Sequence, residues 1–464
     1  MKKSFLLTFT LTFCILTAGA RVPKYVFYFI GDGMGTNEVL ATQMYLADIE
    51  GTIGYKPLCF AQFPYTGMAF TYAANTFITD SAAAGTALST GKKTNSGVLG
   101  MLPDKESAAE TIAEMAKKAG KRVGIGTTVC INHATPGAFY AHQPSRNNYH
   151  AISTQLAESD FDYFGGGHFS SAYDRRFDDG GSYKVAKDNG YTIAMGYDEY
   201  KANAESSEKM ILFPQQEGME SLKFKIDRNE DDLTLAQVTE AAIDFLMKEP
   251  KKGFFIMMEG GKIDHSGHGN DAATDIQEVI DFDNAIKVAY DFYLKHKKET
   301  LIVVTADHET GGMSMGNGEY RMNLKVLQHQ NMSEDAFSSH LEQLGREVGD
   351  VLTWEEVEAE LKEHFGFWDK IKLSKNQENR LRSAYVETFG MGESEKKAEE
   401  YYKVDKLSDL AVQIISEIAQ VGWSSGAHTA AYVPVYAIGV GAENFTGQMD
   451  NTDIPTKIIE IANY

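Results

Sequence analysis

Cysteine is nearly absent from this chain. Of three in 464 residues, Cys14 lies in an apolar N-terminal stretch and only Cys59 and Cys130 lie beyond it. Two cysteines cannot form a disulfide framework, so stability has to come from a packed core; whether the two pair is left open at this level. Basic residues are outnumbered, 44 Lys and Arg against 65 Asp and Glu, for a formal net charge of −21. Such a surface lacks the clustered positive charge that nucleic-acid binding requires. No 18-residue apolar run follows the first 20 positions, so no transmembrane helix is expected in the body of the chain. No Pro/Ser-rich linker, internal repeat or low-complexity tract divides it.

The N-terminus does carry a recognisable signal. Met1-Lys2-Lys3, the apolar stretch from Phe5 to Thr17 and Ala18-Gly19-Ala20 follow the charged, apolar, small-residue order of a secretory leader, with cleavage expected after Ala20. Export to a periplasm or beyond the cell follows. A lipid anchor at Cys14 is the lesser alternative, because Phe13 stands where a small residue is expected. Loss of Lys2 and Lys3 moves the formal charge to about −23. An anionic substrate would then need local metal ions to reverse the field at its site.

Hydrophobic residues at 43% and charged residues at 23% describe a globular chain, and residues 21–464 read as one domain. From 25 to about 310, short β-rich apolar runs at 25–30, 123–128, 254–258 and 301–305 alternate with helical spacing at 105–120, 233–248 and 271–296. That alternation predicts an α/β fold: a mostly parallel central sheet with helices on both faces. A strand at 432–437 and a closing helix at 455–462, begun by Pro455, resume the pattern. Between about 316 and 420 the chain turns acidic and helical. Thr353-Trp-Glu-Glu356 and Ser374-Lys-Asn-Gln377 have the form of capping boxes there, and this stretch is expected to be a helical insertion folded onto the main sheet.

Acids and histidines sit just past the apolar strands: Asp32 after 25–30, Glu259 with Asp264 and His268 after 254–258, Asp307-His308 after 301–305. With 12 histidines in the chain, a His falls at a chosen offset from an Asp roughly once in 40 trials, so each pair alone says little. Together they say more, because strand carboxyl ends of an open α/β sheet face one crevice. A mixed Asp/Glu/His cluster there is what a hydrolytic metal centre requires. In Thr79-Asp80-Ser81-Ala-Ala-Ala-Gly85, Asp80 is a good N-cap for an Ala-rich helix, which puts Ser81 in its first turn. A serine hydroxyl needs a base or a metal to attack phosphorus, and no fixed Ser-His pairing is visible, so metal activation is favoured. In the segment from His133 to Arg146, Thr135 can offer a hydroxyl to a hard metal and Arg146 a planar fork to phosphate.

In this order and spacing the segments resemble the alkaline phosphatases, over nearly all of 25–310 and 423–464. The resemblance implies a metal-dependent phosphomonoesterase with two zinc ions, a third metal and a phosphoserine intermediate. Asp32 would bridge the second zinc and a magnesium, with Thr135 and Glu259 as further magnesium ligands. Asp264, His268 and His428 match the first zinc, and Asp307, His308 and Ser81 the second. Arg146 matches the arginine that holds the phosphate, and Asp80 the acid that helps orient it. His133 and His265 stand where some members carry Asp and Lys, and imidazole nearby suits zinc or cobalt better than magnesium in the third site. Homologues are often dimers, so a homodimer is expected, with phosphate monoesters as substrates and inorganic phosphate as product and inhibitor.

Two other readings stand beside this one: a phosphodiesterase sharing the two-metal chemistry, and a non-catalytic exported binder of phosphate or metal. The remaining histidines (His142, His150, His168, His296, His329, His340 and His364) fit no ligand pattern, and Gly165-Gly-Gly167 reads as a strand-end turn.

Overall fold

A computed structural model describes residues 21–174, 176, 180–349, 351–390, 397–398 and 403–464. The expected leader at 1–20, including Cys14, lies outside them. Ten strands form one sheet: β1 (Tyr25–Ile30), β2 (Tyr65–Phe70), β3 (Arg122–Cys130), β4 (Tyr163–Gly167), β5 (Tyr191–Met195), β6 (Lys209–Phe213), β7 (Phe254–Glu259), β8 (Thr300–Thr305), β9 (Val433–Gly439) and β10 (Gly447–Asp450). Their spatial order is β10-β2-β9-β8-β1-β7-β3-β4-β6-β5. From β8 to β5 every pairing is parallel. Only β9 runs against its neighbours, β8 and β2. This is the mostly parallel α/β sheet that the alternation predicts.

Strands covered on both faces have no polar side to show, so they read as unbroken apolar runs. β1, β7 and β8 are buried at every position. Aromatic and β-branched side chains supply the bulk: Tyr25 and Phe27 pack edge-on, and Phe254 at a tilt, against Phe292 of the long helix Ala272–Lys295.

Helix ends follow local chemistry. Thr234 with Gln237, Thr353 with Glu356 and Ser374 with Gln377 each form reciprocal capping boxes, and Asp271 caps Ala272–Lys295. The helix expected over 105–120 is shorter, Ile112–Lys118, because Thr111 and Glu114 form a capping box that starts it there. Lys105 upstream has a φ of 60°, which no helix admits. The closing helix begins two residues before Pro455, at Asp453, and the proline sits harmlessly in its first turn.

Two expectations need correction. Gly165–Gly167 is not a strand-end turn but the second half of the buried strand β4. The glycines reflect close approach: a Cβ on Gly165 would lie 2.8 Å from Val238, and one on Gly167 2.2 Å from the Glu220 carbonyl. The helices between 316 and 420 do not lie on the sheet. Glu334–Val348, Trp354–Phe365, Lys375–Phe389 and Lys406–Ala419 share a separate apolar core, including Phe337, Leu361, Leu381 and Ile415. That core closes on Ala41 and Tyr45 of the helix Thr36–Ile49 and on Ala272, Ala273 and Ile276, so two helices stand between it and the sheet. Small alanines on those outer faces let a second layer approach. Cys59 and Cys130, left open above, are both free thiols.

Candidate metal centre and nucleophile

Four adjacent strands, β8-β1-β7-β3, deliver the acids to one place. Ile30 is in register with Glu259 and Thr305, and Thr127 with Glu259, so Asp32, Glu259 and Asp307 leave the sheet side by side. Thr127 donates its hydroxyl to Glu259, and Thr135 donates to Asp32 Oδ2 at 3.2 Å. Gly33 and His308 backbone N–H groups both donate to Asp307 Oδ1, at 3.3 and 2.9 Å. Asp264 and His268 come from the short helix Lys262–His268 after β7. His428 arrives from far along the chain through a two-residue antiparallel ladder that pairs it with Thr310.

Ser81 begins the helix Ser81–Thr90, and Asp80 caps it through Ala83 N–H at 3.2 Å. The same Asp80 oxygen accepts from Gly97 N–H at 3.0 Å. Its other oxygen takes the Arg146 guanidinium at 3.3 Å. Arg146 also donates to His133 Nε2 at 3.1 Å. A guanidinium has no acceptor, so that nitrogen of His133 holds a lone pair. Burial, then the nearby guanidinium, push the His133 pKa down to about 3.

The tautomers of three histidines can be worked out from their partners. Thr310 donates its hydroxyl to Asp264 Oδ1 at 2.5 Å, so its oxygen accepts from His308 Nδ1 at 3.3 Å. His268 Nδ1 lies 2.8 Å from the Gly426 carbonyl and His428 Nδ1 2.8 Å from that of Thr79; a carbonyl only accepts. All three rings are thus tied back through Nδ1–H and present Nε2 to the crevice. Around His308 Nε2 lie Ser81 Oγ at 3.3 Å, Asp32 Oδ1 at 3.3 Å and Asp307 Oδ2 at 3.2 Å. His268 and His428 Nε2 are 3.2 Å apart, each 3.4 Å from Asp264 Oδ1.

Lone pairs and carboxylates facing one another at these distances repel unless a cation or a proton lies between them. Buried Asp32 Oδ1, Glu259 Oε1, Asp264 Oδ2 and Asp307 Oδ2 make no hydrogen bond, which fits the same need. Burial and the neighbouring carboxylates push Asp307 up to about 7. Burial likewise lifts Glu259 to about 8 and Asp32 well above the carboxylate range. Asp264 alone goes the other way: burial opposes, but His268 and His428 hold its carboxylate well below the usual range. Burial keeps His308 neutral.

Donor atoms cluster in three groups that fit divalent ions: Asp32, Asp307 and His308; Asp264, His308 and His428; and Asp32, His133 and Glu259. Every candidate residue read from the sequence falls in or against this cluster. Thr135 joins through Asp32, His268 through Asp264, and His265 faces His133 with ring centroids 6.2 Å apart. Thr127 and Thr310 were missed; Thr310 follows His308 by two residues, the one local clue to its part.

A serine at a helix start, facing buried carboxylates and oriented imidazoles at the carboxyl edge of a parallel sheet, defines a metal-dependent hydrolase. A family model for alkaline phosphatase matches residues 23–165 and 174–464. Alkaline phosphatase 3 of Bacillus subtilis is 34% identical over 451 residues, 95% of this chain and 89% of its own. The human tissue-nonspecific isozyme is 30% identical over 338 residues, 62% of this chain and 63% of its own. The cold-active alkaline phosphatase of Shewanella sp. superposes with a TM-score of 0.78 at 30% identity, covering 94% of this chain and 99% of that one. The enzyme from the Antarctic bacterium TAB5 follows at 0.66 and 26%, with 96% and 99% covered, and a His-to-Glu variant of it has Mg bound in a site named M3. The chain belongs to the alkaline phosphatase family and is a metal-dependent phosphatase.

Proposed function

We propose that this chain is an exported phosphomonoesterase that turns over through a phosphoserine on Ser81. Asp32, Ser81, Asp307 and His308 would hold one zinc and Asp264, His268 and His428 another. Asp32, Thr135 and Glu259 would hold a magnesium, with zinc or cobalt favoured if His133 and His265 take part. The observation that carries the reading is His308 Nε2, its lone pair fixed by Thr310, facing Ser81 Oγ and two carboxylates within 3.3 Å.

Divalent ions in such a site supply Lewis-acid charge that eases deprotonation of an oxygen and offsets charge on the leaving group. The residues do the rest. Asp80 fixes the helix start so that Ser81 Oγ points into the cluster. Ser81 Oγ bonds to phosphorus as the ester P–O bond breaks, and the proton that Oγ gives up ends on the departing alcohol. Water then attacks phosphorus, the Oγ–P bond breaks, one water proton restores the Ser81 hydroxyl, and phosphate leaves. Arg146 offers its planar fork to two non-bridging oxygens, exchanging bonds now made to Asp80 and His133. Inorganic phosphate would bind the same groups and inhibit. Export rests on the leader-like N-terminus, and a homodimer on the family resemblance.

Phenyl phosphate and its diester, compared at matched conditions, test substrate class. Monoester turnover exceeding that of the diester supports the proposal, and faster diester turnover overturns it in favour of the phosphodiesterase reading.

A further inference from the structure

A fourth group of metal-type donors lies on the helical insertion and shares no residue with the catalytic cluster. His340 belongs to the helix Glu334–Val348; Glu360 and His364, one turn apart, belong to Trp354–Phe365. Both imidazoles converge on one carboxylate oxygen. His340 Nε2 is 2.7 Å and His364 Nε2 3.4 Å from Glu360 Oε2, and ligand atoms of all three residues lie within 4.8 Å of one another.

The orientation of His364 is fixed from behind. Its Nδ1 lies 2.8 Å from Asn331 Oδ1. The Asn331 amide is itself settled, since its Nδ2 donates to the Glu363 carbonyl at 3.3 Å. A third bond joins Asn331 N–H to the His364 carbonyl at 3.1 Å. Asn331 Oδ1 only accepts, so the His364 proton is on Nδ1 and its Nε2 lone pair points at Glu360. A back-bonded imidazole of this kind is how metal-ligating histidines are held.

The site is half open. The side chains of His340, Glu360 and His364 are 30%, 22% and 13% exposed, which leaves room for solvent as a fourth ligand. Two imidazoles and one carboxylate suit zinc, cobalt, nickel or copper rather than magnesium or calcium. We propose that His340, Glu360 and His364 bind one zinc ion per chain and thereby clamp two helices of the insertion together. The proposal does not depend on the catalytic assignments, because it is read as a difference between variants.

The test uses the full mature chain and the Glu360→Gln and His340→Ala/His364→Ala variants, each chelator-stripped and dialysed against zinc chloride. Elemental analysis should find about one zinc fewer per chain in both variants, the loss of a three-ligand site. Aryl phosphate turnover should be unchanged. Equal zinc in all three proteins overturns the proposal. Should the double variant not fold, cobalt loading of Glu360→Gln against the unsubstituted chain decides: a missing set of d–d bands supports the site, and coincident spectra refute it.

Discussion

Thr310 decides which nitrogen of His308 faces Ser81, and it does so with one hydroxyl that donates to Asp264 and accepts from the imidazole. Acting through His308 and Asp264, it is a positioning residue. Thr310→Val should weaken zinc binding about 10- to 100-fold in chelator competition, as loss of such support does. Unchanged affinity would contradict the tautomer assignment. Ser81→Ala should cost about a thousandfold in kcat or more, as loss of a nucleophile does, with zinc content largely kept. An acid quench should trap labelled phosphate on the unsubstituted chain and not on the variant. Arg146→Ala should raise the inhibition constant for inorganic phosphate about tenfold or more, since charge-assisted bonds to the anion are lost. At this scale much of the site was legible. Acids and histidines placed just past apolar strands can be read from local pattern, whereas His428 could be placed only by family resemblance. Its position depends on a two-residue ladder with Glu309-Thr310, formed across more than a hundred residues. Thr127 was hidden because it stands inside the expected strand, where a threonine signals only β preference.

Elements were legible where their signals are local. The strands at 25–30, 254–258 and 301–305 stand within a residue of where apolar runs place them, and the boxes at Thr353 and Ser374 start helices as written. The glycines of β4 misled because a glycine marks either a turn or a close approach, and only the neighbours Val238 and Glu220 tell which. The seat of the insertion was out of reach for a similar reason: an amphipathic stripe names a buried face but not the surface that buries it. The loop after β1 allows a sharper test. Gly33 has a φ of 81° and a Cβ there would lie 2.6 Å from Asp264 Cα, so this loop and the Lys262–His268 helix meet with no space between. Gly33→Ala should destabilise the chain by about 1–3 kcal/mol through overpacking and strain, and should loosen metal held by Asp264. Denaturant unfolding with a shift below about 0.5 kcal/mol, the scale of an ordinary surface substitution, would show that the approach is slack.

For the whole molecule, the cluster is a concentration of like charge in a chain that is already strongly acidic. In the metal-free fold Asp307 titrates near 7 and Glu259 near 8, above their ordinary values of 3.8 and 4.5, so the folded chain binds more protons than the unfolded one across that window. Stability therefore falls as pH rises through 7 and 8. His428, held above its ordinary value by Asp264 against the effect of burial, adds in the same direction. The buried neutral His133, His265 and His308 act oppositely, but only below their ordinary value of 6.5. The chelated chain should thus lose Tm between about pH 6.5, where the buried histidines cease to oppose, and about pH 8, and level off above it, while the metal-loaded chain stays nearly flat because the ions displace those protons. A chelated chain that gains Tm over that range would refute the reading of the crevice as a proton-filled metal site.

The most direct test of the account is hydrolysis of a chromogenic aryl phosphate by the mature chain across pH, before and after chelation, with zinc and magnesium returned separately and together. The account predicts activity that climbs into the alkaline range, vanishes on chelation and returns fully only with both metals. Turnover that survives complete metal removal, or none in the fully loaded chain, would contradict it.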